Sequence, residues 1–520
     1  MPTLPSRFIA YFSSQAISPM SNLSRLIAAA TLLPILSLPV IAQDATPPAP
    51  AADAAAAGTL TIEDCVRRAL DRGFGIEIQR FSPSMAQDSV DIARSSFVPV
   101  LSASSTKTHE NDAQTAKSLG SRSDDSSTKV GVSELLATGA TVSISSTIAR
   151  AVSNPASSSA LYNPAYSSDL TLSVSQPLLK GAGSAVTKAA LNKAKIGLDR
   201  ARLDFKAQAL DIVQETETAY YNLVSAREQL KVYNASLELA NRLLDEAREK
   251  KTVGTATDID VLEAQVGVAN ARSNVIQSEK TVKDSADSLL ALIGRFELDT
   301  QLGATRFEDF TGQTPVIESS YQLALRNQPD YLSSKLQLEQ LKIAVASAKD
   351  GLKPTLNVEG ALGFNGYRGS GEDSFNSAVN RDNNTWELGL TLSYPWGNVG
   401  NKATYRQSVS TLNQQALTVR QLEQSILVKV RSAVRAVETN VEKVKIAALA
   451  ADYSSRQYDL ERARFDAGLA TSREVLQTQT NLEDARLSVL QARITLQTSI
   501  SSLHRLEGSS LERYQIALQE

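Results

Sequence analysis

A thirteen-residue stretch occurs twice in this chain, and each copy opens a heptad helix at a glycine turn. Val253-Gly-Thr-Ala-Thr-Asp-Ile-Asp-Val-Leu-Glu-Ala-Gln265 returns 214 positions later as Ala467-Gly-Leu-Ala-Thr-Ser-Arg-Glu-Val-Leu-Gln-Thr-Gln479. Gly254 aligns with Gly468, Thr257 with Thr471, Asp260 with Glu474 and Gln265 with Gln479, and the offset holds without a gap to Gly294 and Gly508. Within that run Val261, Val268, Val275, Val282 and Leu289 stand seven apart, as do Val475, Leu482, Val489, Leu496 and Leu503. Three residues on, a second row is mostly small: Ala264, Ala271, Ser278, Ser285, and Thr478, Ala485, Ala492, Ser499. Two such rows are the a/d seam of a coiled coil, and small residues in one of them let helices approach closely. A seam held over five heptads in both copies is poorly explained by chance.

The duplication extends upstream at a different offset. Thr61-Ile-Glu-Asp-Cys-Val-Arg-Arg-Ala-Leu70 matches Val316-Ile-Glu-Ser-Ser-Tyr-Gln-Leu-Ala-Leu325, and the match continues to Ala93/Ala348 and Pro99/Pro354. Each reads as a short helix, a turn at Gly73 or Pro329, and a second helix ending before its proline. The chain of 520 residues thus divides into a first repeat at 59–295, a linker at 296–315, a second repeat at 316–508 and a tail at 509–520. Helices are predicted over about 61–95, 184–251 and 257–293 in the first repeat, and 316–351, 400–466 and 471–507 in the second. The proline-free stretch from Ser184 to Lys250 makes a rod of about 100 Å at 1.5 Å per residue. A globular domain has no use for such a rod.

Between the helices, in about 97–180 and 355–396, the period changes to two. Leu356, Val358, Leu362 and Phe364 alternate with small or polar neighbours, as do Trp386, Leu388, Leu390 and Leu392, Leu170, Leu172 and Val174, and Val142 and Ile144. Strands of about ten residues with one apolar and one small polar face fit a membrane β-barrel with a wet interior. A soluble antiparallel sheet shows the same alternation. Aromatics near the strand ends (Phe97, Tyr166, Tyr394, Trp396) favour the membrane, because such rings prefer its interface. The first repeat carries about 41 more residues here than the second, around Gly120–Asn163. Thr128–Leu136 and Ala140–Arg150, joined through Thr138-Gly139, form either an added hairpin or a long extracellular excursion.

Arg25 precedes an apolar run from Leu26 to Ala42 that ends in Val40-Ile41-Ala42, the small-x-small form of a signal-peptidase site. Residues 1–42 are expected to be a cleaved secretory signal, with Met20 an alternative start, followed by an Ala/Pro-rich flexible leader at 43–58. Net charge is −3, with no basic stripe of the kind nucleic acid requires. One cysteine, Cys65, excludes an internal disulfide, and two histidines, His109 and His504, leave little for a zinc site or a His-centred catalytic apparatus.

Each half therefore reads as short helices, a strand pair, a very long helix, a glycine turn and a shorter heptad helix. In that order, twice, with Val253-Gly254-Thr255 and Ala467-Gly468-Leu469 at the helix turns, Pro99 and Pro354 at the strand entries and Gln176-Pro177-Leu178-Leu179, the chain resembles the outer membrane efflux protein family, the TolC-like channels. The resemblance implies an α+β membrane protein with two structural repeats, each with a strand pair and long coiled-coil helices. It implies a homotrimer in the Gram-negative outer membrane, whose β-barrel continues as a periplasmic α-helical barrel. Members serve as exit ducts of tripartite efflux or type I secretion systems, with a periplasmic adaptor (membrane fusion protein) and an inner-membrane transporter of RND, ABC or other type as partners. No cofactor, metal or catalytic residue is implied, and outer-membrane lipid, not nucleic acid, is the surrounding partner.

By the same resemblance the periplasmic helix tips form the gate, with Asp258, Asp260, Glu263 and Glu474 as candidate acids of the pore and Gln477 neutral where some members carry an acid. Adaptor contacts fall on the turns Val253, Gly254, Thr255 and Ala467, Gly468, Leu469. Threefold symmetry would make each acid a ring of like charge. The residues themselves also admit a local role: Thr257-x-x-Asp260 resembles, and Thr471-x-x-Glu474 is, a capping-box pattern, which suits acids in a first helical turn. Glu263 lies beyond the capping position. Charges along Glu215–Lys251 and Lys429–Arg464 are expected on solvated faces with i,i+4 pairs, Cys65 in the core, and His504 packed. A secreted coiled-coil tether without a pore is the rival function; it has no need of two-faced strands. An enzyme lacks a His/Cys/acid constellation on any loop.

Overall fold

The computed structural model describes residues 60–111, 122–154, 160–294, 302–306 and 315–516. The expected signal and leader, most of the 296–315 linker and two pieces of the Ser-rich insertion lie outside the described residues.

The first repeat opens with α1 (Ile62–Arg72) and α2 (Phe74–Ser95). Thr61 caps α1 by accepting from the Asp64 N–H, and the chain turns at Gly73. Four strands follow: β1 (Val100–Asn111), β2 (Arg122–Leu135), β3 (Thr141–Asn154) and β4 (Ala165–Pro177). The helical rod begins with one turn, α3 (Ser184–Thr187), and continues as α4 (Ala189–Thr252) after a break at Lys188. Beside the break, Thr187 Oγ1 donates to the Gly183 carbonyl at 3.0 Å. α5 (Asp258–Ile293) then runs back along α4.

The second repeat retraces this path. α6 (Ile317–Asn327) and α7 (Pro329–Asp350), with Pro329 at the first helical position, precede β5 (Thr355–Arg368). A short helix, α8 (Gly371–Val379), separates β5 from β6 (Asn383–Ser393) and packs on the β4–β5 surface, where Ser374 Oγ donates to the Gly366 carbonyl. α9 (Val399–Asp466) is the second rod and α10 (Ser472–Glu507) returns along it, with α11 (Ser510–Arg513) last. At 64 and 68 residues, α4 and α9 extend about 95–100 Å each.

The six strands form one antiparallel sheet in chain order, β1 to β6. The first repeat's pair, β1 and β4, is separated by an inserted hairpin, β2–β3, which accounts for its surplus residues. The helical core has two main clusters, the first of which also takes in Ile494, Leu511 and Tyr514. Around α4, Leu210, Val213, Leu223 and Val224 pack with Ile62, Val66 and Leu289; around α9, Val430, Val434 and Val437 pack with Ala324, Ile500 and Leu503. Each such buried Leu or Val contributes roughly 1.5–3 kcal/mol. The small heptad row is buried at Ala264, Ala271, Ser278 and Thr478, so the return helices sit close to the rods. Cys65 is fully buried in the first core, and burial pushes its thiol up to about 12.

Candidate functional site

The two helix turns have the same construction. Each rod ends in a Schellman motif: Gly254 N–H donates to the Lys251 carbonyl (3.0 Å) and Thr255 N–H to Lys250 (2.9 Å), while Gly468 donates to Phe465 (3.0 Å) and Leu469 to Arg464 (2.8 Å). Gly254 and Gly468 have φ of +78° and +74°, where a Cβ would be strained. Each return helix then opens with a complete capping box. Thr257 Oγ1 accepts from the Asp260 N–H and Asp260 accepts from the Thr257 N–H at 2.7 Å; Thr471 and Glu474 repeat this. The backbone N–H and hydroxyl of Thr257 hold the Asp260 carboxyl below the usual carboxylate range, and Thr471 does the same for Glu474.

The capping expectation for Asp260 and Glu474 thus has its geometry in place. Asp258 is exposed and ion-pairs with Lys251 across the turn. Glu263 lies one turn further on, half-buried and outside the cap. Gln477 is exposed and donates to Asn481 at 3.2 Å. Val253 and Leu469 stand out from the turns, 74% and 71% exposed, an apolar pair at the very end of the helices.

The turns are fastened to each other by residues that periodicity did not single out. Arg462 of α9 ion-pairs with Glu246 of α4, and Lys250 donates to the Phe465 carbonyl at 3.1 Å while standing 3.4 Å from the Phe465 ring centroid. Beneath them Leu243, Tyr458, Phe465, Val475 and Leu482 make a small apolar cluster joining α4, α9 and α10. On the other side Leu476 of α10 packs against Gly267 of α5, where an added Cβ would meet it at 3.1 Å. The expectation of solvated faces with i,i+4 pairs fits Arg242–Glu238 and Arg456–Asp452. It is corrected for Glu246, Lys250 and Arg462, which bridge helices, and for Glu217, which is 2% exposed and accepts from the Tyr514 hydroxyl. An aromatic ring two residues before the Ala467 turn was the one local signal available.

The sheet has two chemically distinct faces. Antiparallel partners share a face, so Leu101, Val132, Ile144, Leu172, Leu362 and Trp386 form one row through all six strands. The row above it reads Ala103, Val130, Ser146, Leu170, Phe364 and Asn384, and the row below it Glu134, Val142, Val174, Gly360 and Leu388. The opposite face reads Ser102, Gly131, Ser145, Thr171, Gly363 and Thr385 across the same strands. The apolar face is open to solvent in the single chain, with Leu101 at 72% and Trp386 at 75% exposure on the two edge strands. Among the described residues no helix is long and apolar enough to cross a membrane, and no group of three or more His, Cys, Asp or Glu side chains could hold a metal.

A sheet with an apolar row across every strand, joined to two helical hairpins about 100 Å long, is the fold of an outer-membrane channel protomer. The solved Campylobacter jejuni CmeC outer membrane channel has this fold, with a TM-score of 0.65 at 18% identity over 86% of this chain and 86% of that one. Among curated proteins the chain is 22% identical to outer membrane protein TolC of Escherichia coli (strain K12), over 54% of this chain and 58% of the relative. It is 23% identical to the pyoverdine export outer membrane protein OpmQ of Pseudomonas aeruginosa, over 62% and 66%. The chain spans less than two thirds of either relative's length. The family model for outer membrane efflux proteins matches residues 66–295 and 320–509, and the chain belongs to that family.

Proposed function

We propose that three copies of this chain form a passive exit duct in the Gram-negative outer membrane, with a β-barrel in the bilayer and a helical tunnel reaching into the periplasm. The duct receives cargo at the helix tips from a periplasmic adaptor and an inner-membrane transporter, and it catalyses no reaction. One observation carries the reading: an apolar row crosses all six strands from Leu101 to Trp386, while among the described residues both edges of the sheet, β1 and β6, are unpaired. An open edge cannot face lipid, so the face and the edges together require further copies that close the sheet. The tips supply the gate. Val253, Gly254, Thr255, Ala467, Gly468 and Leu469 offer the adaptor two like turns, and Asp258, Glu263 and the capping acids Asp260 and Glu474 line the approach, with Gln477 adding no charge.

The test is fractionation of the expressed protein followed by electrophoresis with and without boiling and by planar-bilayer recording. An outer-membrane, heat-modifiable trimer that conducts ions is expected. A soluble monomer recovered from the periplasm would return the chain to the tether reading.

A further inference from the structure

We propose that all six strands of each chain enter the barrel wall, so that three chains close an eighteen-stranded barrel, β1 of one chain pairing with β6 of the next. The inference rests on the trimeric channel above and goes beyond it in strand number and in where the duct is narrow.

The alternative is that β2–β3 stands outside a wall of four strands per chain, and three features oppose it. First, the hairpin spans the full height of the sheet. β2 and β3 have 14 residues each, against 12 in β1 and 13 in β4, and the described pairing of β1 with β2 and of β3 with β4 runs nearly end to end. Second, the Leu136–Ala140 turn returns to the end of the sheet that joins the helices. There the Gly183 N–H donates to the Thr138 carbonyl at 3.0 Å, and Gly139 approaches Gly181 so closely that a Cβ would lie 2.5 Å from its oxygen. The added wall therefore has its own foot on the strand-to-helix junction. Third, the inserted strands carry the apolar row and the polar row across the middle of the sheet. Val132 and Ile144 fill the apolar row between Leu101 and Leu172, while Gly131, Ser133, Ser143 and Ser145 continue the polar one. Ser105 and Thr128 hydroxyls meet at 3.0 Å across β1–β2, and Ser143 and Ser173 at 2.7 Å across β3–β4. An excursion into water needs no apolar row at the level of the membrane.

Closure follows from chain direction. β1 leaves the helical end of the sheet and β6 returns to it, so a neighbour's β1 meets β6 antiparallel, as every other pair does. Strands about 4.8 Å apart and tilted about 40° give eighteen strands a backbone diameter of about 36 Å, against about 24 Å for twelve. The tunnel helices α4, α5, α9 and α10 are the same in number with or without the hairpin. The barrel thus outgrows the tunnel, and size selection of cargo falls to the helices and their tips.

Electron cryomicroscopy of the full-length oligomer in lipid nanodiscs tests this. Threefold particles with eighteen wall strands are expected. Threefold particles with twelve wall strands, the hairpin outside, overturn this inference and leave the trimeric channel standing; particles without threefold symmetry overturn both. Disulfide pairing in native membranes, with Cys65→Ala in the full chain, gives an independent reading. Ser105→Cys with Thr128→Cys, and Ser143→Cys with Ser173→Cys, should each cross-link within a chain, whereas Ser105→Cys should find partners on β6 only between chains. A trimer in which neither intrachain pair forms, or in which β1 cross-links directly to β4, overturns the eighteen-stranded wall.

Discussion

Thr257 and Thr471 do at single-residue scale what the whole tip depends on. Each hydroxyl takes an otherwise orphaned N–H of a helix start, and each is answered by an acid three residues later. Thr257→Ala and Thr471→Ala should each cost about 1 kcal/mol of local stability, read as faster hydrogen exchange in the first turns of α5 and α10 with little change in the melting of the cores. Asp260 and Glu474 carry folded carboxyls below their ordinary range, because Thr257 and Thr471 bond the charged form. Their contribution is therefore complete above the ordinary carboxylate pKa and is lost as pH falls through the depressed folded value, so the tips should loosen only in strong acid. His504 acts over a different window. Burial, and then the neighbouring Arg513 guanidinium, push its imidazole down to about 4, with Nδ1 3.3 Å from Arg513 Nη1. An unfolded imidazole takes a proton near 6.5. Stability from this residue is thus full above about pH 6.5 and falls between there and about pH 4. In thermal melts, His504→Gln should flatten that part of the pH profile; an unchanged slope would mean that His504 titrates normally.

At the scale of elements, the two turns were legible because the capping bonds that shape each of them lie within six residues of sequence: a glycine, a threonine and an acid specify the turn. The strand faces were legible from period two. The place of the hairpin was not. β2 spends Arg122 to Lys129 on polar residues and shows its apolar face only at Val130 and Val132, so an excursion and a wall strand look alike until register sets Val132 between Leu101 and Ile144. The link between the two helical hairpins was also hidden, because Glu246 and Arg462 are brought together only by the packing of α4 with α9 and α10. That link makes a prediction for the elements it joins. A partly exposed pair of this kind contributes on the order of 1 kcal/mol, so Arg462→Ala should raise hydrogen exchange at the Phe465–Leu469 turn about fivefold. It should also raise the open probability of the reconstituted channel, since α9 would keep only Lys250 and the apolar cluster as ties to α4. Arg462→Lys should lie between the two. Equal exchange in all three proteins would place the restraint wholly in the Leu243–Phe465 apolar cluster.

At the scale of the whole molecule, the proposed duct would lead an ion past two groups of acids in series. The polar face of the sheet carries Glu110, Asp125, Asp169, Glu359 and Glu387 against a single Lys129, and the tips carry Asp258, Asp260, Glu263 and Glu474. With the proposed wide barrel and narrow tips, salt separates the two. The screening length is about 10 Å at 0.1 M and about 3 Å at 1 M. Wall acids of a lumen this wide reach a passing ion only at low salt, whereas a tip ring remains within reach at both. In bilayers with a salt gradient, Glu359→Gln with Glu387→Gln should lower cation preference about twofold near 0.1 M and leave it unaltered near 1 M. Glu263→Gln, which touches no cap, should lower it at both concentrations without altering the melting of α5. Selectivity lost at 1 M in the wall variant would mean that the barrel, not the helix tips, is the constriction, and the width argued from eighteen strands would fall with it.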